Sequence, residues 1–153
     1  MKVKTKHFGE VTIEDNKLVT FEEGIYGFEE LRQYVILYDN EDNEMQAFCW
    51  LQSVDDSDIC LPMVNPVSWF PTYSPEIDDK LILRIGKLEE TDLSVFSVIV
   101  VPGKFEDITA NLKAPIIVNN KTLKGIQVIV EGEEYQVRHN LYEQIQAAKK
   151  DGE

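Results

Sequence analysis

Residues 47–64 read AFCWLQSVDDSDICLPMV, two apolar runs of strand length on either side of a turn rich in aspartate. This is the pattern of a β-hairpin. The first run, residues 47–52, is apolar on both faces of the predicted strand. A strand of a single open sheet would leave one of those faces in water, so the stretch favours a closed barrel with a covered outer face, or two packed layers. Pro62 lacks an N–H for the ladder and predicts an edge or a bulge in the second strand.

Further strand-like runs continue the same pattern in both directions. The period of two begins at the N-terminus, where Lys2, Lys4 and Lys6 alternate with Val3, Thr5 and His7. Val11 and Ile13 flank Thr12, and a turn follows at Asp15-Asn16. The other runs are residues 18–21, 34–38, 81–85, 95–101, 116–118, 126–130 and 135–137. Asn, Asp, Gly and Pro separate them, and no crossover helices of the kind that parallel strands require lie between them. We therefore predict one antiparallel, all-β domain over residues 1–153, built as a β-barrel or closed sandwich.

The C-terminus departs from the period of two. Asn140 can cap a helix, Glu143 stands at the third helical position, and Leu141, Ile145 and Ala148 share one face. This predicts a short terminal helix packed on the barrel, with fraying over residues 145–153. A single helical turn is also predicted at residues 29–32.

Cysteine content and hydropathy bear on the compartment. Cys49 and Cys60 form no disulfide framework; in the predicted hairpin they would be diagonal neighbours on one face, too far apart to bridge. The N-terminus lacks the apolar core of a signal peptide, and the longest apolar run, near residues 95–101, is too short to span a membrane. We expect a cytoplasmic protein with two reduced core thiols and no membrane partner.

The charge is unusually negative and unevenly distributed. The net charge is −13, and residues 33–79 contain ten carboxylates but no Lys, Arg or His. Such a field slows the approach of nucleic acid or anionic lipid and speeds that of a basic partner. Simple solubility would explain a negative total, but not a run of 47 residues without a base.

Motifs that carry chemistry are weak. His7 and His139 are the two histidines, and sequence alone brings no carboxylates to them; no nucleophile elbow or zinc-protease helix is visible. The acidic cluster at residues 39–44 fails as an EF-hand loop because Glu44 and Trp50 stand where Gly and Glu are needed. Gly24-Ile25-Tyr26-Gly27 resembles a phosphate-clamping GXXG loop, but glutamates flank it on both sides. We expect no enzyme, no cofactor and no metal.

Taken in order, several segments make the chain similar to the flagellar assembly factor FliW family. They are Phe8-Gly9 with residues 11–13, GIYGFEEL from Gly24, WLQS from Trp50, Pro66 with Phe70 and Tyr73, and NLKAPI from Asn111. Each is weak alone, and together they span roughly residues 3–141. One departure is Tyr26, where the family commonly has proline between the two glycines.

The resemblance implies a small, non-catalytic β-barrel protein that binds cytoplasmic flagellin and the RNA-binding translational regulator CsrA. The two partners exclude one another, so that accumulated flagellin releases CsrA to repress flagellin translation. The expected partner-binding residues are Ile25, Tyr26, Phe28, Asp55, Asp56, Asp58, Phe70 and Tyr73. Core packing is the competing interpretation for the aromatics, less so for Phe70 and Tyr73, which lie among prolines. The alternative function is a small β-barrel that binds an apolar ligand.

Overall fold

The computed structural model describes residues 1–38, 48–86 and 92–151, with side chains to residue 147. Its strands are β1 (Lys2–Lys4), β2 (Glu10–Thr12), β3 (Val19–Thr20), β4 (Gln33–Tyr38), β5 (Phe48–Ser53), β6 (Cys60–Val64), β7 (Leu93–Val100), β8 (Thr109–Ala110), β9 (Ile116–Asn119), β10 (Lys124–Gln127) and β11 (His139–Asn140). The helices are α1 (Pro66–Trp69), α2 (Asp79–Ile82) and α3 (Tyr142–Asp151), and 3-10 turns lie at Asp15–Lys17, Leu83–Ile85 and Phe105–Asp107.

Seven strands close into a barrel. Their order is β7-β6-β5-β4-β3-β10-β9, and β9 pairs back onto β7. Among the described strands, every pairing is antiparallel except β3 with β10, which run parallel where Thr20 meets Lys124. Strands β8 and β11 extend the edge of β7, and β1 with β2 forms a separate hairpin. The predicted all-β barrel with a short C-terminal helix is therefore confirmed, with one parallel contact that the sequence pattern did not predict.

Large side chains fill the inside of the barrel. Its central cluster includes Phe21, Tyr34, Leu51 and Met63, none of which exposes any surface. The Phe21 and Tyr34 rings meet edge to face with centroids 5.3 Å apart. A packed interior is what a barrel of short strands has when it encloses no ligand. This counts against the alternative of an apolar-ligand carrier.

An outer layer explains why the central strands are apolar on both faces. One cluster outside the barrel joins Val64 and Ile99 to α1, β8 and α3, with Leu141 and Ile145 buried in it. A second joins Ile117 and Ile126 to α2 and the turn after it. Phe48 and Val95 pack against the first cluster, while Cys49 and Leu51 point into the barrel. The inference of a covered outer face is confirmed.

The predicted strand at residues 81–85 is wrong. These residues form α2 and the following 3-10 turn, and Asp78 Oδ1 accepts a hydrogen bond from the Lys80 N–H, as a helix cap does. Ile82 and Ile85 are buried while Leu83 is exposed, a spacing of three rather than two. The strand predicted at residues 135–137 is absent, and the one predicted at residues 126–130 ends at Gln127. The helical turn predicted at residues 29–32 is also wrong, because the chain forms a non-helical turn there.

The register of β5 and β6 corrects the prediction for the cysteines. Cys49 lies opposite Met63, and Cys60 lies opposite Gln52. Since 49 and 52 differ by three, the thiols project from opposite faces of the hairpin. Both cysteines are free and buried. Pro62 lies opposite Trp50, in the part of β6 that β7 does not reach.

Helix α3 begins close to where the sequence placed it. Asn140 Oδ1 accepts a hydrogen bond from the Glu143 N–H at 3.3 Å, and Leu141 and Ile145 are buried. The helix continues to Asp151 and Ile145 packs in the outer cluster, while fraying of the residues that follow stays a prediction. The predicted acidic cluster at residues 39–44 lies outside the described residues.

Candidate functional site

The Tyr26 turn, residues 24–28, protrudes from the long connection between β3 and β4. Gly24 and Gly27 have φ angles of +71° and +91°, which side-chain-bearing residues rarely adopt. Phe28 N–H donates to Ile25 O at 2.7 Å and closes the turn. A Cβ on Gly24 would lie 2.5 Å from Glu29 Cα, so both the positive φ angle and the lack of space require glycine at this position. The expected glycine-dependent turn is confirmed.

Two side chains hold this turn against the barrel. Ile25 is 2% exposed and belongs to the barrel's central cluster. Gln127 Oε1 accepts a hydrogen bond from Tyr26 N–H at 2.9 Å, and Gln127 Nε2 donates to Ala114 O at 3.0 Å. The Tyr26 side chain remains 56% exposed. The fold therefore displays an aromatic side chain on a braced backbone.

The charge around the Tyr26 turn is less negative than the sequence suggests. Glu23 accepts from Arg84 at 2.7 Å, and Glu22 lies 3.0 Å from Lys124 Nζ. These exposed ion pairs flank a depression of about 360 Å³, which Gly24, Gly125 and Ile126 also line. Such exposed pairs contribute about 0–1 kcal/mol to stability. Glu29 and Glu30, which follow the turn, form no such ion pair with any base in the described part of the chain.

The acidic turn, residues 53–58, has a structural role that its sequence did not reveal. Asp55 Oδ2 accepts from the N–H groups of Arg32 and Gln33, both at 3.2 Å. Ser53 Oγ accepts from the Asp55 and Asp56 N–H groups at 3.1 and 3.0 Å. Asp56 Oδ1 accepts from Asp58 N–H at 3.0 Å. Asp55, Asp56 and Asp58 are all exposed, but two of their carboxylates also hold the backbone.

The acidic turn and the Tyr26 turn lie at the same end of the barrel. Ser53 pairs with Tyr34 across β4 and β5, so the end of β5 lies beside the start of β4. The bonds from Asp55 to residues 32 and 33 join the acidic turn to the segment that leaves the Tyr26 turn. The structure thus brings together two of the predicted binding segments.

Phe70 and Tyr73 do not join them. They are 8% and 6% exposed and lie in the outer cluster on the flank of the barrel. Tyr73 OH donates to Leu112 O at 2.7 Å, and burial raises the pKa of that phenol. Phe70 packs edge to face on His139. The expectation that these rings are surface contacts is wrong, because residues 108–112 and 135–141 fold over them. Phe28 is half-buried.

Several surface features were not predicted from the sequence. Arg84 and Lys124 were not singled out, and Ile129 is 58% exposed. Ile129 faces away from its buried neighbours Val128 and Val130, and the apolar run at residues 126–130 does not show which of its faces is exposed. Within residues 1–38, 48–86 and 92–151, no group of three or more His, Cys, Asp or Glu side chains is placed to hold a metal ion. No helix in those ranges is long and apolar enough to cross a membrane.

The fold and this end of it define the class of protein: a small, closed, seven-stranded β-barrel with an outer helical layer and a braced aromatic turn. The family model described as FliW protein matches residues 2–141. The chain belongs to the FliW family, as its motifs indicated.

Relatives and a solved structure agree with this assignment. The flagellar assembly factor FliW of Lachnoclostridium phytofermentans is 42% identical, covering 100% of this chain and 99% of the relative. That of Lachnospira eligens is 41% identical, over 94% and 95% of the two chains. A crystal structure of the flagellar assembly factor FliW has a TM-score of 0.83 at 35% identity, covering 92% of this chain and 96% of that one.

Proposed function

We propose that this protein is a non-catalytic cytoplasmic assembly factor that binds flagellin and CsrA in mutually exclusive complexes. Flagellin that accumulates in the cell would displace CsrA, and the released CsrA would repress flagellin translation. Membership of the FliW family supports the role in flagellar assembly. The two partners come from the resemblance noted in the sequence.

The braced Tyr26 turn is the observation that carries a protein-binding function. Binding energy in protein interfaces concentrates in a few aromatic or arginine side chains, and rigid presentation lowers the entropy lost on docking. Tyr26 meets both conditions, since its side chain is 56% exposed while its N–H is held by Gln127. Flagellin's terminal segments are amphipathic helices, and the exposed Tyr26 ring offers such a helix an apolar contact.

The charge supports the second partner. CsrA binds RNA and so presents basic surface, to which a protein of net charge −13 is attracted. The same field would repel RNA phosphates near a docked complex without filling the RNA site.

Mutual exclusion sets a quantitative requirement. At equal concentrations, one partner displaces the other tenfold only if it binds about 1.4 kcal/mol more tightly. A large excess of flagellin would substitute for part of that difference.

Gel filtration of the purified protein with flagellin and CsrA from its own organism tests the proposal. Each should co-elute alone, and flagellin added to the CsrA complex should release CsrA. A stable complex of all three would contradict mutual exclusion, and failure to co-elute with either partner would refute the function.

Two matched variants test the role of the turn. Tyr26→Ala should weaken partner binding at least tenfold, as loss of an interface anchor does. Tyr38→Ala is the control, because Tyr38 is 54% exposed and ends β4 at the far side of the barrel, about 17 Å from its start. Equal affinities for the two variants would remove Tyr26 from the interface.

A further inference from the structure

A second surface lies along the strand edge that continues β10. Val128 N–H donates to Pro115 O and Val130 N–H donates to Lys113 O, so the antiparallel pairing with the segment before β9 extends past Gln127. Backbone groups alternate in direction along a strand, and those of Ile129 therefore point to the opposite edge. There the Ile129 N–H and C=O form no hydrogen bond with any group in the described part of the chain. The Ile129 side chain is 58% exposed.

A groove runs beside this edge. The Ile129 groove has a volume of about 420 Å³ and is lined by Glu76, Ile77, Asp78, Leu81, Ile129 and Glu131. Three of these side chains are aliphatic and three are carboxylates. Lys80 and Lys113 stand nearby, but neither lines the groove, and Lys113 Nζ donates to Gly132 O at 2.9 Å. None of the three carboxylates is in an ion pair with a base among the residues described.

We infer that the Ile129 groove receives an extended segment of a partner that alternates basic and apolar residues, added as a strand to the edge at residues 127–131. In strand addition, the main chain of the added segment forms hydrogen bonds with the free edge of a sheet, and alternate side chains of the segment determine which sequences bind. The apolar face of the segment meets Ile77 and Leu81, which pack against Val128 and Val130. Its lysines or arginines lie on the other face, beside the Ile129 side chain and Glu131, within reach of the other carboxylates of the groove. The inference deepens the proposed function and rests on it: the basic partner supplies the segment.

The groove and the Tyr26 turn share one strand. Gln127, which holds Tyr26 N–H, is two residues from Ile129, a separation of about 7 Å along a strand. A segment added along this edge therefore reaches the Tyr26 turn.

A synthetic octapeptide of alternating lysine and valine, labelled for fluorescence anisotropy, tests the groove with the wild-type chain. A second peptide with N-methyl groups on alternate residues keeps charge and side chains but cannot pair along one edge. We expect the first to bind and the second to bind at least tenfold more weakly. Equal binding of both peptides, or no binding of the first, would overturn strand addition.

Charge reversal locates the contact. Glu76→Lys/Glu131→Lys should weaken binding of the lysine–valine peptide at least tenfold, whereas Glu106→Lys/Asp107→Lys, an equal charge change in a 3-10 turn elsewhere, should change it less than threefold. Equal weakening would show only the field of the whole protein and would overturn the groove. If the first variant does not fold, as judged by circular dichroism, the N-methyl comparison still decides.

The same variants separate this inference from the proposed function. If the wild-type chain fails to co-elute with CsrA, the proposed function fails. If it co-elutes and Glu76→Lys/Glu131→Lys retains wild-type affinity for CsrA, the groove fails while the function stands.

Discussion

Replacing Gly24 with alanine should destabilise the fold and loosen the Tyr26 turn together. The φ angle of +71° costs an alanine about 1–2 kcal/mol. The added Cβ would lie 2.5, 2.6 and 2.8 Å from Glu29 Cα, O and C, all backbone atoms that cannot rotate away. Overpacking of this kind costs about a further 1–3 kcal/mol. We expect Gly24→Ala to lower the free energy of unfolding by about 2–5 kcal/mol.

Gly27→Ala is the control within the same turn. Gly27 has a φ of +91°, but a Cβ there has no neighbour within 4 Å, so only the backbone strain remains. Urea unfolding of the three proteins should show a loss for Gly24→Ala at least about 1 kcal/mol larger than for Gly27→Ala. Partner affinity should fall further for Gly24→Ala as well. Equal losses of stability would refute the close approach of Gly24 to Glu29.

Three other predictions concern the core, the thiols and the acidic turn. Gly125→Ala would place a Cβ 2.5–2.9 Å from three atoms of the Phe21 ring, and should cost about 1–3 kcal/mol by urea unfolding, whereas Gly103→Ala, with open space around it, should cost under about 1 kcal/mol. Burial raises the pKa of the Cys49 thiol from 9.0 to about 12 and that of the Tyr34 phenol from 10.0 to about 12, so both groups stay protonated in the folded chain at pH values where the unfolded chain ionises. The free energy of unfolding should therefore be highest below pH 9 and decline towards pH 12, with a smaller slope in Cys49→Ala. A free energy of unfolding that does not change between pH 9 and 12 would contradict this. Asp55→Ala loses two hydrogen bonds to the backbone and should lower the free energy of unfolding by about 1–2 kcal/mol, while Asp58→Ala should change it by less than about 0.5 kcal/mol. Asp58→Lys therefore tests the electrostatic attraction of CsrA without a loss of stability, and the affinity for CsrA should depend less on salt in this variant.

Local pattern was sufficient for the barrel because its strands are short and meet their neighbours in sequence order from β3 to β6. The alternation of Cys49 and Leu51 with Phe48 and Trp50 predicts the two faces of the barrel wall. Cys49 and Leu51 do point into the barrel, whereas outside it Phe48 packs in the outer cluster and the Trp50 ring packs on Phe8. The Tyr26 turn was also predictable, since two glycines three residues apart indicate a turn, and both adopt a positive φ.

The errors arise where contacts distant in sequence decide the outcome. Residues 81–85 are apolar enough to read as a strand, and the helix is identified by the cap at Asp78 rather than by their composition. Burial of Tyr73 depends on Leu112, 39 residues away, and on Tyr135, whose ring lies 4.7 Å from its own. The pattern of apolar residues near Tyr73 does not indicate contacts with residues so distant in sequence. The bonds from Asp55 to residues 32 and 33 are equally invisible, because a carboxylate in an acidic turn looks the same whether it attracts a partner or holds a backbone.

Strand direction explains why these features gather at one end. β4 starts where β3 and β5 end, and β10 runs parallel to β3. The Tyr26 turn, the acidic turn and the segment after Gln127 therefore leave the barrel on the same side. Under the proposed function, two partners that both use this end would exclude one another by overlap alone. The packed interior and the braced turn favour this mechanism over a switch, since a ligand can shift only a conformation that the protein can reach.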